Sequence, residues 1–146
     1  MTKKNLGYTN ENLETLGGAY TAREIAGQPG LWQKTWQKVA SEKKDLQKFL
    51  DSALSLTGLS IVLTGAGTSA FIGEVAEPLL NRYWPRPVRA LPTTTLVTHF
   101  EEYIETDRPL LLISFARSGN SPESTATVRL AEEHCARSGI SSGDNL

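Results

Sequence analysis

Two short segments carry residue types that could hold an anion. Thr64-Gly65-Ala66-Gly67-Thr68-Ser69 follows the apolar run Ile61-Val62-Leu63. Ala116-Arg117-Ser118-Gly119-Asn120-Ser121 follows Leu110-Leu111-Leu112-Ile113-Ser114-Phe115. Both are rich in glycine and hydroxyl side chains, and neither contains a carboxylate. A strand that turns into a helix through such a loop leaves backbone N–H groups pointing out of the turn, at the positive end of the helix dipole. That geometry favours an anion, most often a phosphate. Two such loops on one sheet can converge on one phosphorylated ligand.

The elements that must position these loops follow from spacing. Residues 60–63 are short, apolar and β-branched, which predicts a buried strand. Residues 88–91 predict a second short strand and residues 109–114 a third. Residues 69–83 have helical spacing through Ile72, Val75, Ala76, Leu79, Leu80 and Tyr83, with a kink or break expected at Pro78. Thr93-Thr94-Thr95 leads into a helix or turn over residues 96–103. Ser121 is expected to cap a helix that runs to about Arg137, with Pro122 at its first position, where a missing N–H costs nothing. Alternating strands and helices predict an α/β fold, a parallel sheet flanked by helices with right-handed crossovers. Ligands of such sheets bind beyond the carboxyl ends of the strands, where both Gly/Ser loops and Thr93 to Thr95 fall.

Upstream, residues 1–20 have little apolar periodicity and read as a loose leader. Thr21-Ala22-Arg23-Glu24 fits a capping box for a short helix stopping near Gly27. A long helix from about Pro29 to Leu56 is predicted by Trp32, Trp36, Val39, Lys43, Leu46, Leu50 and Ala53, which recur at spacings of three and four and make one face mostly apolar. Lys34, Lys38, Glu42, Lys44, Asp45 and Lys48 form a solvated face, and Gly58 ends the segment. No strand is expected in the polar stretch from Ser138. Three parallel strands would leave exposed edges, so the chain reads as the first part of something larger.

Composition narrows the partners. The 146 residues suffice for one domain with a modest core, and 39% hydrophobic with 21% charged residues is ordinary for a soluble globular protein. A formal net charge of -1 offers no surface for a polyanion, and the N-terminal helices have no basic helix-turn-helix pattern, so nucleic acid is not expected. No apolar run is long enough for a bilayer, and the polar N-terminus is not a signal peptide, so no membrane is expected. The lone Cys135 excludes an intramolecular disulfide and fits a reducing, cytoplasmic setting. His99 and His134 are widely separated, and no metal cluster is visible.

Gly65-Ala66-Gly67-Thr68-Ser69-Ala70 also matches the G-x-G-x-x-A pattern of dinucleotide sites. That pattern wants an acidic residue at the end of the next strand for a ribose hydroxyl. Arg89-Ala90-Leu91-Pro92-Thr93 has none, although Arg89 could meet a ribose phosphate. A phosphate loop of the Walker type fails outright, because no Gly-Lys-Ser/Thr follows the glycines.

Ser118-Gly119-Asn120-Ser121-Pro122-Glu123-Ser124 after a hydrophobic strand, paired with the upstream Gly67-Thr68-Ser69, resembles the sugar isomerase (SIS) domain family. Leu63 to Gly73, Pro92 to Thr98 and Leu110 to Ser124 resemble, within that family, the bacterial AgaS group of tagatose-6-phosphate isomerases and galactosamine-6-phosphate deaminases. The likeness runs from about Tyr20 to Arg137. It implies a flavodoxin-like three-layer sandwich, a phosphorylated sugar or amino sugar as ligand, no cofactor, and a homo-oligomer in the full-length family. Residues 1–57 then read as leader and helices, and residues 58–146 as the first part of an SIS domain, without the second SIS domain of the group.

Carried over residue by residue, the resemblance puts Ser69, Ser118 and Ser121 on the phosphate, supported by Thr68 and the backbone of Gly67 and Gly119. Ser69 and Ser121 can equally be helix caps. Ala116 stands where many SIS domains have a hydroxyl residue. Arg117 can meet the phosphate or solvent, and Thr93 and Thr94 can reach sugar hydroxyls. Glu123 suits a helix dipole or, less simply, a catalytic base. Isomerisation through an enediol or enolamine needs an acid and a base, and deamination adds loss of ammonia. Those groups are not identified in this sequence. The expectation is an isomerase-deaminase of the AgaS type in truncated form; the alternative is a phosphosugar-binding module without catalysis.

Overall fold

A computed structural model describes residues 4–137, which divide into two units between Phe49 and Leu50. In the first unit, a short antiparallel pair, β1 (Lys4–Asn5) and β2 (Tyr8–Thr9), leads into helix α1 (Asn10–Thr15). The Thr9 hydroxyl caps α1 by accepting from the Asn12 amide at 3.2 Å. The expected loose leader is therefore built over Lys4–Thr15.

Helix α2 (Ala19–Ser41) starts two residues before Thr21. Gly18 is its N-cap; the Gly18 amide donates to the Leu13 carbonyl at 2.8 Å, and its own carbonyl accepts from Ala22 at 2.9 Å. The end of α1 thus hands directly into α2, and the capping box at Thr21 does not form. The helix does not stop at Gly27 and continues through Pro29 and Gly30. Proline removes one hydrogen bond in a helix of 23 residues, and the turns on either side retain theirs. Helix α3 (Lys43–Leu54) follows after Glu42 alone, whose φ of -95° and ψ of 7° bend the chain there. The single helix expected from Pro29 to Leu56 is thus two. Its apolar stripe faces outward in part, with Trp32 and Trp36 67% and 73% exposed.

The second unit holds the sheet. Strands β3 (Ser60–Gly65), β4 (Val88–Ala90) and β5 (Leu110–Phe115) pair in parallel in the order β4-β3-β5. Ile61 aligns with Val88 on one side and Leu111 on the other. Helix α4 (Ala70–Tyr83) covers one face and runs unbroken through Pro78. Helices α5 (Thr93–Tyr103) and α6 (Pro122–Arg137) cover the other. Thr93 to Thr95 form the first turn of α5 rather than a lead-in, with Pro92 before them, and α5 bends at His99 (φ -142°, ψ 44°). The stretch from Ser138 lies outside the described residues.

Alternation along β3 explains the three layers. Ile61 and Leu63 point to the α4 side and pack with Leu59, Val88, Ala76 and Leu80. Val62 points the other way, into Leu91, Leu96, Phe100, Ile104 and Ala131. With both faces covered, the strand reads as a continuous apolar run.

Two polar side chains of α4 bond the backbone of β4. Asn81 Oδ1 accepts from the Val88 amide at 2.7 Å, and Asn81 Nδ2 donates to the Val88 carbonyl at 2.9 Å. Glu77 Oε2 accepts from the Ala90 amide at 3.0 Å. These bonds stand in for a further strand. Asn81→Ala leaves two backbone groups of Val88 without these partners and is expected to cost about 1–3 kcal/mol, measurable as a lowered urea midpoint at unchanged slope.

Candidate functional site

Both loops lie at the carboxyl end of the sheet. After β3 the chain passes Ala66 into a single 3-10 turn, Gly67–Ser69, in which the Ser69 amide donates to the Ala66 carbonyl at 3.1 Å. Helix α4 continues from it without a side-chain cap. Ser69 therefore does not act as the capping residue that the sequence allowed. A Cβ on Gly65 would sit 2.5 Å from the Ser69 carbonyl carbon and 2.8 Å from the Ala70 amide nitrogen. The strand can turn under its own helix only because no side chain is there.

The second loop runs from Ala116 to Ser121. Gly119 has φ +71°, a left-handed conformation that glycine adopts without strain. Ser121 caps α6 as expected: its Oγ accepts from the Ser124 amide at 3.2 Å and donates to Ser124 Oγ at 2.9 Å. Its carbonyl accepts from Thr125 at 3.0 Å, closing the first turn.

The two loops share one open cavity of about 170 Å³. Ser69 and Ala66 line it from the first loop, and Arg117, Ser118, Gly119 and Ser121 from the second. Ser124, 5% exposed, forms its floor with Phe115. Beside it, over α6, lies a larger open hollow of about 480 Å³ that shares Ala116, Gly119 and Ser124 and extends to Arg129 and Glu132. Gly67 and Thr68 are exposed on the rim of the first loop and do not line the cavity.

Thr93 and Thr94 go elsewhere. Thr93 is fully buried, and its hydroxyl donates to the Gly65 carbonyl at 3.3 Å, tying the start of α5 to the end of β3. Thr94 is exposed at the first turn of α5. Thr127, also fully buried, donates to the Glu123 carbonyl at 2.8 Å. Thr64 is 1% exposed, and its hydroxyl has no hydrogen-bond partner among the described residues. Sequence reasoning quoted Thr64 and Ser124 within the two motifs without giving either a role, and did not single out Thr127. The only signal was position: one hydroxyl at the end of the central strand and two in the first turns after Ser121.

No carboxylate lines the smaller cavity, and Arg117 adds a positive charge to its hydroxyls and the α6 N-terminus. This suits a phosphate dianion. It contains no His, Asp, Glu, Lys or Cys that could move a proton at neutral pH. Further along α6, Cys135 has its thiol pKa raised, first by burial and then by the Glu132 carboxylate. A raised pKa keeps the thiol protonated and a poor nucleophile at neutral pH. Among the described residues, no group of His, Cys, Asp or Glu is placed to hold a metal ion, and no helix is long and apolar enough to cross a membrane.

No protein-family model matches the chain. Sequence relatives do. The AgaS protein of Streptomyces coelicolor is 48% identical over 114 residues, 78% of this chain and 30% of that protein. A D-galactosamine-6-phosphate deaminase AgaS of Shewanella is 42% identical over 132 residues, 88% of this chain and 34% of that one. A Clostridium novyi protein provisionally named a tagatose-6-phosphate ketose/aldose isomerase superposes with a TM-score of 0.88 at 44% identity, over 91% of this chain and 34% of that chain. The tagatose-6-phosphate ketose/aldose isomerase of Escherichia coli gives 0.76 at 44% identity, over 82% and 32%. The chain thus spans about a third of the length of the proteins it matches. The expected parallel sheet flanked by helices is the fold of these neighbours.

Two measurements check the turn at Gly65 and the surroundings of Cys135. Gly65→Ala forces a Cβ into the Ser69–Ala70 backbone and is expected to cost about 1–3 kcal/mol or more, read by urea unfolding. Cys135 is expected to react with iodoacetamide at pH 8 more slowly than an unperturbed thiol, and to gain rate only as pH rises above the ordinary thiol range.

Proposed function

We propose, for a chain homologous to the AgaS proteins over most of its own length, that the two-loop cavity holds the phosphate of a phosphorylated sugar or amino sugar. The observation that carries this reading is the convergence of Ser69, Ser118, Ser121 and Arg117 on one carboxylate-free cavity. Ser69 and Ser118 donate from their hydroxyls. Ser121 reaches the anion by turning its hydroxyl away from Ser124 while still accepting the capping bond. Gly119 contributes from its backbone within the cavity, and Gly67 and Thr68 support the first loop from its rim. A sugar held by its phosphate would extend over the larger hollow beside the cavity, and Arg117, at the smaller cavity, can meet the phosphate or a hydroxyl next to it. In domain terms, the described residues up to 57 belong to an N-terminal helical part and those from 58 to an SIS-type domain.

The reaction that fits this ligand is the one the relatives' names state. Galactosamine 6-phosphate plus water gives tagatose 6-phosphate plus ammonia. After ring opening, a proton leaves C2 and one is added at C1, so the amine becomes an imine; water then displaces ammonia and leaves the ketose. Aldose–ketose isomerisation uses the same proton transfer with oxygen in place of nitrogen. The cavity supplies positioning, which fixes the reacting carbons relative to groups elsewhere. The absence of an acid–base group in its lining favours a second reading, a phosphosugar-binding module without turnover.

Incubating the chain with galactosamine 6-phosphate separates the readings. Ammonia release supports the deaminase. A raised Tm without ammonia supports the binding module, with about 2.7 kcal/mol of stabilisation expected at a hundredfold excess over Kd. The absence of both responses would contradict the phosphate assignment itself. Ser118→Ala is expected to weaken binding roughly tenfold or more by removing one charge-assisted hydrogen bond, with the Tm of the free protein unchanged.

A further inference from the structure

Helix α4 uses only part of its circumference on the sheet. Ala70 and Gly73 are buried there, and Ala76, Glu77 and Leu80 are half-buried. The opposite side carries Phe71, Ile72, Val75, Leu79 and Tyr83, exposed to 58%, 51%, 80%, 59% and 69%. Residues 71, 75, 79 and 83 recur every fourth position and form one stripe along the helix. A contiguous apolar stripe of this size differs from the scattered apolar residues of an ordinary surface. Glu74 borders the stripe near its amino end, and Arg82 sits near its carboxyl end with its guanidinium 5.5 Å from the Tyr83 ring centroid. Neither takes part in an ion pair among the described residues.

We propose that this stripe is a self-association surface, on which α4 of a second copy of the chain packs antiparallel about a two-fold axis near position 77. The argument is self-complementarity. Reversal about that position sets Val75 against Leu79 of the partner subunit and Phe71 level with Tyr83 of the partner subunit. It places Arg82 of the partner subunit between Phe71 and Glu74, on the same flank, so one guanidinium meets a ring face and a carboxylate. The axis generates each contact twice, as an isologous interface requires. The two helix dipoles run antiparallel, which sets the positive end of each beside the negative end of the other. Five large side chains, each at least half exposed, give roughly 1,000 Å² over two copies, the lower bound of a specific interface. The pair therefore dissociates on dilution. A covering segment of another sequence would account for the apolar residues but not for the matched positions of Glu74 and Arg82.

Sedimentation velocity on the full chain across a concentration series tests this. The expected result is a monomer–dimer equilibrium. Val75→Asp should raise the dimer Kd roughly tenfold or more, with an unchanged far-ultraviolet circular dichroism spectrum because the side chain is 80% exposed. Glu74→Arg and Arg82→Glu should each weaken the dimer about two- to fivefold, and the double exchange should restore it. A monomer at every concentration overturns the proposal and leaves the stripe to another partner. A dimer indifferent to Val75→Asp, or single exchanges that the double does not rescue, also overturns it.

Discussion

The site depends on how closely the chain can fold back at the end of β3. Gly65 lies against the backbone of Ser69 and Ala70, with no room for a Cβ. That contact brings α4 down at once onto the strand it follows and leaves its N-terminus at the carboxyl edge of the sheet. The Thr93 hydroxyl bonds the carbonyl of the same glycine, so the start of α5 is referenced to the same point. The central position of β3 then sets the distance to the second loop, because β5 pairs with it in register from Ser60–Leu110 to Gly65–Phe115. The register ends where both chains turn, and the two loops emerge side by side.

The division of labour follows. The interior of the sheet supplies rigidity through two apolar layers, and the loops supply polarity. Hydroxyls, backbone donors and one guanidinium suit an anion bound without a metal or a buried counter-charge. They do not suit proton transfer. On our reading this part of the molecule grips, and groups that transform a substrate must approach from outside the cavity.

Much of this was legible in the sequence, for local reasons. The central strand was visible because burial on both faces leaves an uninterrupted apolar run. Ser121 and Pro122 were legible as a helix start because a cap needs only residues within one turn. Both loops declared themselves by composition. Local rules failed where a neighbouring element decided the outcome. Thr21 does not cap because Gly18 joins α1 to α2 three residues earlier. Pro29 and Pro78 stay within helices because one lost bond does not outweigh the rest. The bonds from Asn81 and Glu77 to β4 span seven and thirteen residues and have no periodic signature. Ser69 was ambiguous between cap and ligand contact, and only the 3-10 turn that leads directly into α4 removed the cap.

The central claim is that two loops, one starting at Thr64 and the other at Ala116, make one anion site. The direct measurement is a titration with inorganic phosphate followed by amide chemical shifts. The account predicts that Gly67 and Ser69 in the first loop, and Ser118 and Gly119 in the second, shift together along one binding curve with a single Kd. Shifts confined to one loop, or two curves with different midpoints, would contradict it.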